Sequence, residues 1–233
     1  MNFLDFITRP PNFYEQAKIN AIRGGGSPSP VPSDYDLLEY LQSDGTAFIK
    51  LPWKIDGGNT ATGIRNLNDG FKIKFALSGD QQAAFGDRWG YFLKSENGYM
   101  WARMMNDSSS NVLNTNISFT TSPQEWEFNN GKLYFENTLI HDFWNPVYIG
   151  TGGAGIHYLF GRNTGSLTSS GNNGHIKIYY MKHTVDIPST TYPDIPFELY
   201  PVRRKADGVL GMYDIINDVF YTNSGGGSFI APA

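Results

Sequence analysis

The sequence of 233 residues has no cysteine and few charged side chains, which make up 17% of the chain. Without cysteine it can form neither a disulfide framework nor a thiolate metal site, so stability must come from a packed core or self-association. Its 18 basic residues are outnumbered by 22 acidic ones, for a formal net charge of -4. Because binding to phosphate backbones needs clustered Lys and Arg, we expect no nucleic-acid partner.

Long apolar runs are also missing from the sequence. No segment approaches the roughly 18 apolar residues that a membrane-spanning helix requires, so no membrane partner is expected. Residues 1–8 are apolar but are interrupted by Asp5 and lack a basic start, which is atypical of a signal peptide. Together with the lack of cysteine, this favours folding in a reducing cytoplasm.

The residues that are abundant favour β-structure. Aromatic residues make up 15% of the chain, and 26 Gly and 13 Pro favour short strands joined by turns. Residues 71–77 alternate apolar and polar side chains, as in a strand with one face on a core. Similar runs occur at 47–51, 99–105, 133–140, 176–181 and 219–222. About a dozen strands fit, which predicts an all-β domain of two packed sheets or a closed barrel.

One hairpin is predicted together with its register. The dipeptide Asn-Gly at 130–131 suits a two-residue type I′ turn between two alternating segments. Such a turn pairs Phe128 with Leu133 and Trp126 with Phe135 on one face of the sheet.

Residues 1–23 differ in character from the rest and are predicted to form an anchor peptide. Asn12 and Glu15 have the spacing of a capping box for a helix over residues 13–22. A helix of about ten residues is too short to be stable alone, so it must dock on another protein or fold back on its own domain, unless it stays disordered. The predicted anchoring side chains are Phe3, Leu4, Phe6, Ile7, Phe13 and Tyr14.

Residues 24–36 are rich in Gly, Ser and Pro and are predicted to be a linker. Prolines at 28, 30 and 32 exclude a helix or a paired strand and favour extended polyproline geometry. Ten such residues reach on the order of 30 Å. The linker would therefore separate the anchor from a domain spanning residues 37–233.

Four segments of that domain carry a family pattern. The most specific is the last, 198–230, in which Tyr213 and Phe220 flank a turn with Asn217 and Asp218 and so predict a closing hairpin. The others are 38–49 (LEYLQSDGTAFI), 158–162 (YLFGR) and 174–179 (GHIKIY). Together they resemble the concanavalin A-like (laminin G-like) jelly-roll domains of phage appendage proteins and gut bacterial surface proteins. The resemblance implies a jelly-roll β-sandwich, often with carbohydrate or protein binding, but it does not assign a ligand.

Some proteins of this fold hydrolyse polysaccharides with paired glutamates on one strand. Glu125 and Glu127 alternate around Trp126, but the aspartate between the glutamates and a third acid in register are missing. We therefore expect them to be solvent-facing residues and expect no catalytic residue. A second acidic cluster, at the linker exit, is interpreted as charged edge residues: Asp34, Asp36 and Glu39.

No cofactor or metal is expected. Glycines within 150–155 have the spacing of a dinucleotide-binding loop, but residues 156–160 favour a strand where that loop needs a helix. Asn66, Asn68 and Asp69 have oxygens suited to calcium, yet they are explained as turn residues before Gly70. The four histidines lack the spacing of a metal site and are expected to be ordinary strand residues: His141, His157, His175 and His183.

One predicted strand offers a binding surface. Tyr99, Trp101 and Arg103 share one face of it, opposite residues 100, 102 and 104, which suit the core. Two amphipathic rings and a guanidinium can stack on sugar rings. The same side chains are also typical of a surface covered by a loop or a neighbouring subunit.

These features together predict a non-enzymatic virion protein, a capsid-attached head fibre or decoration protein assembled in the host cytoplasm. The anchor peptide would dock on a capsid protein, and the jelly roll would be displayed for adhesion to a host surface or glycan. Because fibres usually form cyclic assemblies, we expect a cyclic homo-oligomer, most simply a trimer. The alternatives are a tail-associated receptor-binding protein and a glycoside hydrolase of the same fold.

Overall fold

A computed structural model describes residues 29–54, 70–86, 92–103, 112–129, 131–143, 156–163, 170–171, 174–184 and 196–232. These residues contain 19 β-strands and no helix, which confirms the all-β class. The anchor peptide 1–23, including its predicted helix, lies outside the described residues.

The strands are short, between two and eight residues long. In chain order they are β1 (Tyr35–Leu37), β2 (Leu41–Ser43), β3 (Ile49–Lys54), β4 (Gly70–Ala76), β5 (Ala83–Gly86), β6 (Phe92–Glu96), β7 (Tyr99–Arg103), β8 (Val112–Ser118), β9 (Gln124–Asn129), β10 (Lys132–Phe135), β11 (Thr138–Asp142), β12 (Ile156–Leu159), β13 (Arg162–Asn163), β14 (Ser170–Gly171), β15 (Lys177–Thr184), β16 (Phe197–Arg204), β17 (Leu210–Asp214), β18 (Val219–Tyr221) and β19 (Phe229–Ile230).

Among the described residues these strands form two main antiparallel sheets and a small two-stranded one, β13-β14. The larger sheet has the order β11-β10-β9-β4-β15-β16-β17-β18. In addition, β1 pairs with β16, β2 pairs with β15, and β19 pairs with β2. The smaller sheet has the order β3-β12-β5-β6-β7-β8.

The hydrophobic core draws on both main sheets. It contains fully buried side chains of β4, β9, β15 and β16 from the larger sheet and of β3, β5, β6 and β7 from the smaller one. Phe71 of β4 contacts Phe85 of β5, with ring centroids 5.7 Å apart. This shared core is consistent with a β-sandwich.

The register of the predicted hairpin is confirmed. Leu133 lies opposite Phe128, and Phe135 opposite Trp126, as the two-residue turn requires. Gly131 has a φ of 73°, the left-handed conformation that a type I′ turn needs and glycine adopts without strain. The closing hairpin is confirmed as well, since Tyr213 pairs with Phe220.

A second apolar cluster lies on the outer face of the larger sheet, away from the core. The sheet contributes Ala76, Tyr179, Tyr180, Tyr200, Val202 and Tyr213. Residues 29–40, which we call the strap, cover this cluster. Val31 of the strap is 5% exposed, and the ring of Tyr35 lies 4.7 Å from that of Tyr213. Tyr40 packs on Tyr179 at 5.6 Å.

The strap changes the position at which the folded domain begins. Tyr35, Asp36 and Leu37 form β1 and pair with Arg204, Arg203 and Val202 of β16. Residues 31–36, assigned from the sequence to the linker, therefore contribute to the folded unit. They can do so despite three prolines nearby because the pairing begins only at residue 35.

The turn after β2 joins the N-terminal and C-terminal parts of the domain. Asp44 accepts hydrogen bonds from the backbone of Thr46 at 2.9 Å, Ala47 at 3.0 Å and Ser228 at 2.6 Å. Burial alone would raise the pKa of Asp44, but these hydrogen bonds and one from the Thr46 hydroxyl outweigh it and lower the pKa to about 2. The ionised carboxylate therefore stabilises the closure of the fold.

We expect Asp44→Asn to destabilise the fold at pH 7 by on the order of 1–2 kcal/mol, after allowing for solvent screening of a part-exposed group. The folded-state pKa lies below the unfolded value, so this stabilisation is fully present above about pH 4 and is lost as the pH falls towards 2. Urea unfolding at pH 7, 4 and 2.5 should show that the unfolding free energies of the unaltered chain and Asp44→Asn become more similar as the pH falls. Asp142→Asn, which loses only an exposed ion pair with Lys132 at 3.5 Å, should stay within about 0.5 kcal/mol at every pH. A pH-independent difference for Asp44→Asn would contradict this account.

Candidate functional site

The predicted binding strand is β7, an inner strand of the smaller sheet. Met100 and Ala102 are 0% exposed and belong to the core, which confirms the predicted alternation. On the outer face Tyr99 is 40% exposed and Trp101 is half-buried. Arg103 differs from the expectation, because it is only 8% exposed and so does not share the open surface with the two rings. Residue 104 lies outside the described residues.

Strands β6 and β8 flank β7 and supply polar neighbours to the two rings. Tyr99 lies between Glu96 of β6 and Ser118 of β8 in the strand register. Trp101 lies in the same way between Lys94 and Asn114. We call this outer surface, formed by residues 94, 96, 99, 101, 114, 116 and 118, the β7 face.

Hydrogen bonds and one ion pair hold the β7 face in place. The indole Nε1 of Trp101 donates to the backbone oxygen of Glu96 at 2.9 Å. The Nζ of Lys94 lies 2.5 Å from Oε2 of Glu96, and their side chains are 13% and 30% exposed. The Trp101 ring is therefore fixed rather than free to rotate, which lowers the entropic cost of packing a ligand on it.

A bulge in β8 adds an amide to this surface. Residues 115–117 of β8 lie opposite the single residue Met100, because Ser118 pairs with Tyr99 and Asn114 with Trp101. Asn116 is exposed with a φ of 57°, a conformation that asparagine tolerates better than most residues. Its backbone N–H donates to Oδ1 of Asn114 at 2.9 Å. Two asparagines thus lie beside the two rings.

The polar neighbours of Tyr99 and Trp101 were not identified from the sequence, although a signal for them exists. Asn97 and Gly98 connect β6 to β7 with φ values of 54° and 83°. Asn-Gly is a strong hairpin signal, and a two-residue turn there sets Glu96 opposite Tyr99 and Lys94 opposite Trp101.

Glu125 and Glu127 lie on the other side of the domain, on the outer face of the larger sheet. They were expected to face solvent, but their side chains are only 15% and 16% exposed. The Nζ of Lys72 lies 2.5 Å from Glu125 and 3.4 Å from Glu127. The hydroxyl of Tyr180 also donates to Glu125, and Nδ2 of Asn129 donates to Glu127 at 3.0 Å. Both carboxylates are therefore bound by side chains of the same sheet.

The same network continues across the larger sheet. Lys182 lies 3.1 Å from Glu198, which accepts a hydrogen bond from the Tyr200 hydroxyl at 2.5 Å. Burial raises the pKa of Tyr180 and of Tyr200 well above the usual value, and the neighbouring glutamates add to the effect. Both phenols thus remain hydrogen-bond donors at neutral pH, and this surface is a paired network of charges.

The described residues contain no group of three or more potential metal ligands. His157 and His183 are buried, and the ring of His183 stacks on Phe71 at 4.4 Å. His141 lies on β11, and His175 is exposed before β15. In the acidic cluster at 34–39, Asp36 lies on β1, 3.5 Å from Lys205. Asn66, Asn68, Asp69 and the glycines of 150–155 lie outside the described residues.

In the part of the chain that the structure describes, no helix has the length and apolar character needed to cross a membrane. No protein-family model, no curated protein and no solved structure matches the chain. The candidate site therefore stands on its geometry: two partly exposed rings, two asparagines, a serine and an internal ion pair on one sheet face.

Proposed function

We propose that this chain is a non-enzymatic structural protein of a phage particle, a capsid-attached head fibre or decoration protein. Its folded part is a concanavalin A-like jelly roll, and its β7 face adheres to glycans of the host surface. Residues 1–23 attach the protein to a capsid protein, and the chain works as a cyclic homo-oligomer, most simply a trimer.

The observation that carries this proposal is the position of the strap relative to the β7 face. The strap covers the outer face of the larger sheet, whereas Tyr99 and Trp101 lie on the outer face of the smaller sheet. Packed sheets are about 10 Å apart, and the two outer faces point in opposite directions. A particle bound through the segment before the strap would therefore leave the β7 face pointing outwards, as adhesion requires.

The aromatic content of the β7 face supports a glycan as the ligand. The exposed ring of Tyr99 and the fixed ring of Trp101 offer flat apolar surfaces, and the adjacent amides offer both donors and acceptors. Sugars present the complementary combination of C–H faces and hydroxyl groups.

A glycoside hydrolase is disfavoured by the state of Glu125 and Glu127. Each carboxylate is bound to Lys72, and Glu125 is also bound by Tyr180, so both are engaged by side chains of the same sheet instead of being open to a substrate. A tail-associated receptor-binding protein would need the same adhesive surface, and the location of the protein in intact particles distinguishes that function from a head fibre.

We expect Tyr99→Ala to weaken glycan binding about tenfold, because the exposed ring supplies stacking worth about 1.4 kcal/mol. The full chain and the variant would be compared on an array of bacterial and host-type oligosaccharides. Tyr134→Ala, which removes a half-buried ring of β10 in the larger sheet, is the matched control and should bind as the unaltered chain does.

Two results would contradict the proposed function. One is the absence of binding to any glycan on the array. The other is release of reducing sugar from a polysaccharide that disappears in Glu125→Gln, which would favour the hydrolase.

A further inference from the structure

We propose that the β7 face selects neutral glycans over acidic ones. This inference rests on the proposed function and specifies its ligand class. It follows from how the charges of β6, β7 and β8 are arranged around the two rings.

The cations of these three strands are already engaged or buried. The strands contain two basic side chains, Lys94 and Arg103. Lys94 is 2.5 Å from Glu96, in an ion pair that neutralises it, and Arg103 is 8% exposed. A sialic acid, uronic acid or sulfate on this surface would lose water and meet the carboxylate of Glu96, and neither basic side chain of β6, β7 and β8 is positioned to neutralise it. Burying a charge without such compensation is strongly unfavourable.

Neutral sugar hydroxyls find better partners on the same surface. Asn114, Asn116 and Ser118 each carry a side chain that can donate and accept hydrogen bonds. Such side chains can pair with a sugar hydroxyl whether it donates or accepts. They lie along one side of Tyr99 and Trp101 in the strand register. A pyranose stacked on the rings would thus have its hydroxyls beside amides and its C–H groups on the aromatic carbons.

The ion pair between Lys94 and Glu96 also identifies the residue that sets this preference. Glu96→Gln removes the negative charge and keeps the shape of the side chain, which still has an oxygen that accepts hydrogen bonds. The loss of this one carboxylate makes the charge around Trp101 more positive by one unit. We therefore expect this variant to accept acidic sugars that the unaltered chain rejects.

The experiment uses the full chain and an array of neutral oligosaccharides, each paired with its sialylated, uronic or sulfated counterpart. The unaltered chain should bind neutral members at least fivefold more tightly. Glu96→Gln should bind the acidic members several-fold more tightly than the unaltered chain does and the neutral members within about twofold. Glu127→Gln, which removes a partner of Lys72 on the opposite face, is the matched control and should change neither. Circular dichroism would confirm that each variant is folded.

Three outcomes would overturn the inference. If the acidic members bind equally or better and Tyr99→Ala weakens them, the preference is wrong but the β7 face remains a glycan site. If no member binds, both the preference and the proposed function fail. If Tyr99→Ala instead dissociates an oligomer in light scattering and leaves glycan binding unchanged, the β7 face is a subunit contact.

Discussion

A fragment that begins at residue 29 should unfold with the free energy of the full chain, whereas a fragment that begins at residue 41 should be less stable by roughly 3–6 kcal/mol. The difference between the two fragments measures what the strap contributes to stability. Without it, the tyrosines on the outer face of the larger sheet lose the cover of Val31, Tyr35 and Tyr40. The pairing of β1 with β16 is lost as well.

The expected size follows from the area that the strap buries. A fully buried large apolar side chain contributes about 1.5–3 kcal/mol, and Val31 is nearly fully buried while Tyr35 and Tyr40 are partly so. A fragment that begins at residue 34 keeps Tyr35 but not Val31, so its stability should fall between the other two. It should still fold as an all-β domain.

Urea unfolding followed by tryptophan fluorescence measures these differences. Val31→Ala, which truncates a buried strap residue, and Leu37→Ala, which truncates a strap residue that is 39% exposed, form a matched pair. Only Val31→Ala should lower the stability clearly, by about 1 kcal/mol or more. Equal stability of the fragments that begin at 29 and 41 would show that the strap does not hold the sheet.

The sequence predicted local pairings better than it predicted which surfaces are covered. The hairpin at 130–131 was correct in register because a two-residue turn determines which residues face each other. Burial of Val31 was missed because it depends on a sheet surface whose residues, apart from Ala76, come more than a hundred positions later in the chain. The proline-rich composition around Val31 indicates backbone geometry but no such partner.

The same distinction explains the outcome at the candidate sites. The alternation of β7 is local, and it correctly placed Met100 and Ala102 in the core. The low exposure of Arg103 depends on the residues that surround the end of β7, and the alternation of apolar and polar side chains does not specify them. Glu125 likewise appeared exposed, because Lys72 and Tyr180, which bind it, come from strands distant in sequence.

The strap also shortens the free linker and sharpens the prediction for the anchor peptide. Residues from Val31 onwards are held on the sheet, so a connector spanning 24–28, together with the first strap residues, separates the anchor from the domain. A fibre attached this way has a short tether, with Gly24, Gly25 and Gly26 available to absorb a change of direction between particle and domain.

Deletion of residues 1–23 should therefore abolish incorporation into particles and leave the unfolding free energy of the domain unchanged. Burial of Phe3, Leu4, Phe6 and Ile7 in a capsid protein would contribute roughly 1.5–3 kcal/mol per side chain before ordering costs. Several copies in one oligomer would engage together and multiply the effect of each contact.

The measurement is the amount of protein that co-purifies with particles when the full chain or the truncated chain is supplied. Gly25→Ser, which keeps the anchor and the length of the connector, is the control and should leave occupancy close to normal. Because the truncated chain retains the whole strap, a loss of occupancy cannot be attributed to unfolding, and normal occupancy without residues 1–23 would show that the particle binds the domain itself.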